Sequence, residues 1–262
     1  MGGFDLARLD SYLETRTLAR DIRYYRSIDS TNSQLERLEG LEEGALVLAD
    51  YQTQGRGRQG RSWKSFDQAG LYFSLLLRPG ERQDLGILPL LAAAGLVKSL
   101  EGLGLEPRIK WPNDIYLGSK KLAGILLELV FRGQDLDYVI LGMGVNLNIS
   151  LGQLEGQGLK SASSLREELG WDLDREKFLA RLLKELELLY NSYKDQDDLE
   201  EVLRINRERS LILNKRVRIV REKSEVAARV LDITKEGKLV VEYDNKEVGR
   251  IFCGEVSIRG VP

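Results

Sequence analysis

Residues 45–77 read ALVLADYQTQGRGRQGRSWKSFDQAGLYFSLLL, and this stretch decides the fold class. Its two ends, Ala45–Tyr51 and Leu71–Leu77, are apolar runs with the length and bulk of buried strands. The middle imitates two nucleotide motifs. Gly55-x-Gly57-x-x-Gly60 matches the dinucleotide fingerprint, and Gly55-x4-Gly60-Arg61-Ser62 is one Lys-to-Arg change from a P-loop. Both motifs hand phosphate to the N-terminus of a following helix. Only about ten residues separate Gly60 from the next strand, so no crossover helix fits. The loop is instead a local cradle: Arg56, Arg58, Arg61 and Lys64 stand without a carboxylate in 51–66, and glycine lets the backbone approach a ligand. An arginine-rich nucleic-acid segment is the rival reading, but such segments repeat and interleave aromatics for stacking, whereas this is one copy beside Trp63.

Outward from this stretch, the pattern predicts an α+β protein. Leu6, Leu9 and Leu13 suggest a short amphipathic helix within 5–18. Ile22–Ile28 reads as a strand, and Thr31-x-x-Gln34 as a capping box opening a helix to about Leu38. Downstream, Leu85–Leu103 is an Ala/Leu-rich helix followed by apolar segments at Arg108–Trp111, Leu122–Phe131 and Asp137–Leu141. Phe178, Leu182, Leu186, Leu189 and Tyr193 form a helical stripe, with another helix over Asp198–Arg209. From Lys215 short β runs alternate with turn signals at Glu236-Gly237 and Asp244-Asn245, which suggests a small β-barrel. The expected division is a domain over 1–210 and a second over 211–262.

Composition narrows the chemistry. The 262 residues carry a net charge of −2 from well-mixed signs, so any phosphate binding is local. There is no histidine, which removes histidine triads, HExxH zinc sites and histidine bases. One cysteine, Cys253, permits no internal disulfide and no cysteine metal site, and the chain reads as cytoplasmic, with no membrane span or signal peptide.

Four further segments carry polar chemistry. Lys110-Trp111-Pro112-Asn113-Asp114 sets a cation, an aromatic, an amide and a carboxylate at a strand end; alone it also reads as a capped turn with Trp111 in the core. Gly142-x-Gly144-x-Asn146 reads alone as a β-bulge. Together with Ser30-Thr31-Asn32, the glycine-arginine loop, Trp63 and Lys121-Leu-Ala-Gly124-Ile, these segments resemble, in order and spacing, the catalytic domain of biotin–protein ligases across about residues 22–150.

The resemblance implies a mixed β-sheet flanked by helices, of the class II synthetase type, with a small C-terminal SH3-like barrel. It implies an ATP-dependent ligase that forms biotinyl-5′-AMP, releases pyrophosphate and transfers biotin to a lysine of a biotin carboxyl carrier protein. By resemblance, Ser30, Thr31, Asn32, Gln52, Gly55, Arg56, Gly57, Lys121 and Gly124 hold biotin. Arg56, Arg58, Arg61, Trp63, Lys110, Asn113 and Asn146 bind ATP or the adenylate. Lys121, Asp114, Arg56 and Arg58 carry the chemistry. Mg²⁺ would accompany the nucleotide, with Asp114 and Glu128 as candidates for organising it and no dedicated protein metal site. Lys120 reads as an exposed lysine. Asp114 is either the base for the carrier lysine or a turn cap. The loop is expected to order over the adenylate and exclude water. About twenty residues precede the first motif strand, so a ligase without DNA-binding repression is expected, although Met1-Gly2-Gly3 also reads as a trimmed start. A homodimer through the sheet is left open. The rivals are a lipoate or octanoate ligase of the same fold, whose triple-glycine segment and nearby histidine this sequence lacks, and a nucleic-acid-binding module using the basic loop.

Overall fold

The computed structural model describes residues 3–80, 84–196, 198–221, 224–252 and 255–257. Cys253 and the Met1-Gly2 start lie outside the described residues. In chain order the elements are α1 (Leu6–Tyr12), β1 (Ile22–Ile28), α2 (Thr31–Arg37), β2 (Leu46–Gln52), β3 (Gly70–Leu77), α3 (Leu88–Glu101), β4 (Pro107–Lys110), β5 (Asp114–Leu117), β6 (Lys120–Arg132) and β7 (Asp135–Asn146). They continue as α4 (Leu151–Gly156), α5 (Leu165–Leu169), α6 (Arg175–Gln196), α7 (Glu200–Glu208), β8 (Arg216–Arg221), β9 (Ser224–Ile233), β10 (Leu239–Tyr243), β11 (Val248–Ile251) and β12 (Glu255–Ser257).

The first seven strands form one mixed sheet in the order β1-β2-β3-β7-β6-β5-β4. β1 and β2 are parallel, joined through α2, and every later pairing is antiparallel. Among the described residues no α-helix lies between β2 and β3, which pair directly, so the doubly wound alternatives are excluded by topology as well as by loop length.

The period of two sorts β-strand side chains onto two faces. Leu46, Leu48, Leu71, Phe73, Leu75, Leu77, Val139, Leu141, Met143 and Val145 join the main core with α3 and α6. Val47, Leu76 and Ile140 point the other way and pack with Leu35 of α2. α3 is buried almost all round because it lies between the sheet and α6. Gly95 permits that approach: a Cβ there would stand 2.9 Å from Leu186 Cδ2.

β8–β12 form a second antiparallel sheet in the order β11-β10-β9-β8-β12. Among the described residues this order does not close on itself, so the expected barrel is observed as an open sheet. It is tied to the turn after β4 by Trp111, whose Nε1 donates to the Gly237 carbonyl at 3.0 Å, and to α7 by Arg207, whose Nε donates to Asp232 at 2.7 Å.

Several local expectations change. Helix α1 ends at Tyr12, well short of residue 18. At α2, Ser30 is the N-cap and makes no side-chain cap, and Gln34 Nε2 donates to the Tyr25 hydroxyl, so there is no capping box. A capping box does exist at Ser150–Gln153, opening α4. Gly142-x-Gly144 is no bulge: β7 runs through it in unbroken register with β3 and β6. The short strand β5, hidden in Asp-Ile-Tyr-Leu, lacks the run length that marks a strand in sequence.

Candidate active site

The site is built on the face of the sheet that α2 covers. On β3, β6 and β7 the positions facing it include Ser74, Gly124, Leu126, Glu128, Gly142 and Gly144. Ser74 pairs with Gly142 and Gly124 with Gly144. These glycines are extended strand residues chosen for space. A Cβ at Gly142 would lie 2.1 Å from Asn32 Oδ1; one at Gly144 would lie 2.6 Å from the Trp63 ring, and one at Gly124 2.9 Å from it. The strands therefore leave a floor without side chains, on which Asn32 and Trp63 rest.

Lys121 reaches this face through an irregularity. Ile115 pairs with Ala123 but Tyr116 pairs with Lys121, so Leu122 is an extra residue in β6. A bulge reverses the alternation of facing: Leu122 is fully buried, and Lys121 Nζ sits 2.7 Å from Asp114 Oδ1 and 5.4 Å from the centre of the Trp63 ring.

α2 brings its buried first turn to the floor. Gln52 Oε1, at the end of β2, accepts from Thr31 N at 2.8 Å and lies 3.1 Å from Thr31 Oγ1. Ser74 Oγ is 2.7 Å from Thr31 Oγ1 and 2.5 Å from Asn32 Oδ1. Asn32 Nδ2 donates to Glu128 Oε2 at 2.7 Å. Just outside, Asp29 accepts from Ser30 N and from Arg37, and the Arg37 hydrogen bond holds its carboxyl down at about 2.

The glycine-arginine loop folds as a small hairpin. Gly57 N donates to Arg61 O at 2.7 Å and Trp63 N to Gly55 O at 2.8 Å, and the tip turns through Gln59 and Gly60 at φ 56° and 71°. Its far end is held by Tyr72, whose hydroxyl accepts from Phe66 N at 2.8 Å; burial pushes that phenol up to about 12. Arg56 Nη2 donates to Glu128 Oε1 at 2.6 Å, and Arg58 Nη1 to Asn113 Oδ1 at 3.0 Å. Asn113 in turn donates to the Ile125 carbonyl at 2.9 Å. Among the described residues the buried Trp63 Nε1 finds no acceptor.

Between floor, α2 and hairpin lies a cavity of about 170 Å³. Of the residues expected from sequence, Ser30, Thr31, Asn32, Gln52, Arg56, Gly57, Arg58, Arg61, Trp63, Lys110, Asn113, Asp114, Lys121 and Gly124 line it. Gly55 instead borders the outer side of the hairpin. Asn146 is not brought to the cavity wall: its amide is buried and donates to the Ser163 carbonyl at 2.9 Å, tying the end of β7 to the following loop. Sequence reasoning picks out Gly142 and Gly144 within the Gly142–Asn146 segment without giving them a role at the site, and it misses Ser74; their shared facing shows only once β3 and β7 are paired. Among the described residues no group of three or more Asp, Glu, Cys or His is placed to hold a metal ion, and no helix is long and apolar enough to cross a membrane.

Residues 24–146 match the model of the biotin/lipoate A/B protein ligase family, and residues 212–259 that of the biotin protein ligase C-terminal domain. The bifunctional ligase/repressor BirA of Escherichia coli K12 is 33% identical over 236 residues, covering 88% of this chain and 72% of that one. The chain belongs to the biotin/lipoate A/B protein ligase family. Within that family, a biotin–[acetyl-CoA-carboxylase] ligase of Paracoccus denitrificans is 41% identical over 160 residues, covering 58% of this chain and 65% of that one. Among solved structures, the biotin protein ligase of Aquifex aeolicus in complex with biotin and ATP superposes with a TM-score of 0.78 at 30% identity, covering 91% of this chain and 98% of that one.

Proposed function

We propose that this chain is a biotin–protein ligase: it joins biotin to AMP at the expense of ATP, then transfers biotin to a lysine of a biotin carboxyl carrier protein. The carrying observation is one cavity that combines a neutral, directed polar subsite, an ion-paired lysine and an arginine hairpin. The ureido ring of biotin offers one carbonyl acceptor and two N–H donors. Gln52 Oε1 is taken by Thr31, which leaves Gln52 Nε2 to donate to the carbonyl, while Ser30 and Thr31 oxygens accept from the N–H groups. A dithiolane head group would leave these buried polar atoms unpaired at a cost of about 1–3 kcal/mol each, which favours biotin over lipoate. The names of the relatives and the C-terminal match support the same choice.

Lys121, oriented by Asp114, neutralises the biotin carboxylate as it attacks the α-phosphorus. Arg58, Arg61 and Lys110 bind the phosphate oxygens and stabilise the charge that builds there. The carboxylate oxygen forms the new P–O bond, and the bond to pyrophosphate breaks. Mg²⁺, held largely by the substrate phosphates and water, would offset the triphosphate charge. In the second step the amine attacks the anhydride carbonyl and AMP leaves. A lysine with pKa about 10.4 must first lose its proton, and Asp114 is the carboxylate on the cavity wall that can take it. Residues 1–210 are assigned to activation and 211–262 to a separate small unit. A cytoplasmic location fits the cysteine usage. A nucleic-acid role for the loop is disfavoured because Arg56, Arg58 and Arg61 line the same small cavity as the polar subsite.

The test is pyrophosphate release from ATP on adding biotin, with lipoate as control and a carrier domain added for transfer. Release with biotin and not lipoate is expected; none with biotin overturns the proposal. Single-turnover transfer from preformed adenylate by Asp114→Asn, at the normal rate, would eliminate the base role.

A further inference from the structure

Glu128, a sequence candidate for organising Mg²⁺, takes no step in the proposed chemistry, yet it grips two elements of the site at once. It stands on β6, on the floor face, with its two oxygens divided: Oε2 accepts from Asn32 Nδ2 at 2.7 Å and Oε1 from Arg56 Nη2 at 2.6 Å. One leg holds the first turn of α2, and the other holds the hairpin.

The Asn32 leg has a consequence for proton placement. A carboxylate only accepts, so the Asn32 NH₂ must face Glu128 and its Oδ1 must face Ser74. Oδ1 cannot donate, so the single Ser74 hydroxyl proton goes to Asn32. Ser74 Oγ can then only accept from Thr31, and Gln52 Oε1 can only accept. The Thr31 proton is spent inside the network whichever of the two receives it. Thr31 Oγ1 is left with a lone pair for the cavity, and the Gln52 amide turns its donor end away from Thr31. Gly142 makes the chain continuous, since any side chain there would displace Asn32 Oδ1.

We infer that Glu128 is a positioning residue that sets the donor–acceptor polarity of the head-group subsite and couples that subsite to the arginine hairpin. The inference rests on the biotin-ligase reading. A glutamine at this position keeps the shape but can present either end, so Asn32 and with it the Ser74 and Thr31 protons lose their fixed direction.

The experiment is biotin-dependent pyrophosphate release by the full chain, with KM for biotin, KM for ATP and kcat measured separately. Wild type without release would defeat the functional reading itself. With wild type active, Glu128→Gln is expected to raise KM for biotin about tenfold, as for loss of a charged hydrogen bond, and to change kcat much less. The double variant Asn32→Asp/Glu128→Gln restores the hydrogen bonds between α2, β3 and β6 with the direction of the α2–β6 bond reversed. The carboxylate introduced on α2 then accepts both from Ser74 and from the amide introduced on β6. This variant is expected to recover most of the KM. An unchanged KM in Glu128→Gln, or a double variant no better than the single, overturns the inference. If Glu128→Gln does not fold by circular dichroism, Ser74→Ala reads the same chain: a raised KM for biotin with wild-type spectrum supports it, and an unchanged KM sinks it.

Discussion

The floor and the hairpin of the site both depend on glycine, for opposite reasons. On the floor, Gly124, Gly142 and Gly144 have ordinary strand backbone and are needed because neighbours occupy the place of a side chain. At the hairpin tip, Gly60 has open space around it and is needed for its φ of 71°. The floor is held by ladders on both sides, which fixes the shape of the proposed biotin subsite. The hairpin is held by a few backbone bonds, Tyr72 and the arginine contacts, so its rearrangement need not disturb the sheet. A site that must both read a small molecule and cover a water-sensitive anhydride gains from this division, since recognition needs rigidity and closure needs movement.

The sharpest way to break the contrast is Gly142→Ala. Its Cβ would meet Asn32 Oδ1 at 2.1 Å, and overpacking of about 1–3 kcal/mol predicts a rise in KM for biotin of up to about a hundredfold, measured by pyrophosphate release. A KM unchanged from wild type would mean that the floor is not read by the head group. Next, Arg58→Ala on the hairpin side should raise KM for ATP about tenfold while leaving biotin binding, followed by calorimetry without nucleotide, near wild type. Equal losses for both ligands would merge the two regions into one.

Gly60→Ala should cost about 1 kcal/mol of stability through its left-handed backbone, seen as a lower melting temperature. With no neighbour to displace, its turnover should stay within about threefold of wild type. The smallest effect expected is an acid one. Asp29 is held at about 2 by Arg37, below the unfolded value of about 3.9. Its contribution to stability is therefore complete above that value and is lost as pH falls toward 2. Asp29→Asn should flatten that part of the acid limb in urea unfolding between about pH 5 and pH 2. An unaltered limb would show that the Asp29 contact does not secure α2.

Much of this was readable from the chain. Ala45–Tyr51 and Leu71–Leu77 announce buried strands, and the short span after Gly60 rules out a crossover helix, because run length and loop length are local properties. The polar residues of Ser30-Thr31-Asn32 and Lys110–Asp114 were also visible as unusual groupings. Their partners were not. Glu128 sits 96 residues from Asn32 and 72 from Arg56, and nothing local in either segment signals the other. The same holds for Asn146, whose amide suits a ligand in sequence but is taken by the Ser163 carbonyl in the fold.

By itself, then, the sequence determined the longer strands and helices, the absence of histidine and of cysteine metal-site chemistry, the cationic loop and the kinship with ligases, since all of these are carried by residues close along the chain. Only the tertiary structure decided which side chains meet. The bulge at Leu122 turns Lys121 rather than Lys120 toward Asp114, and the register of β3, β6 and β7 gathers Ser74 and three glycines onto one face. Facing in a sheet alternates residue by residue, and one inserted residue reverses it. That choice is made by pairing with strands distant in sequence.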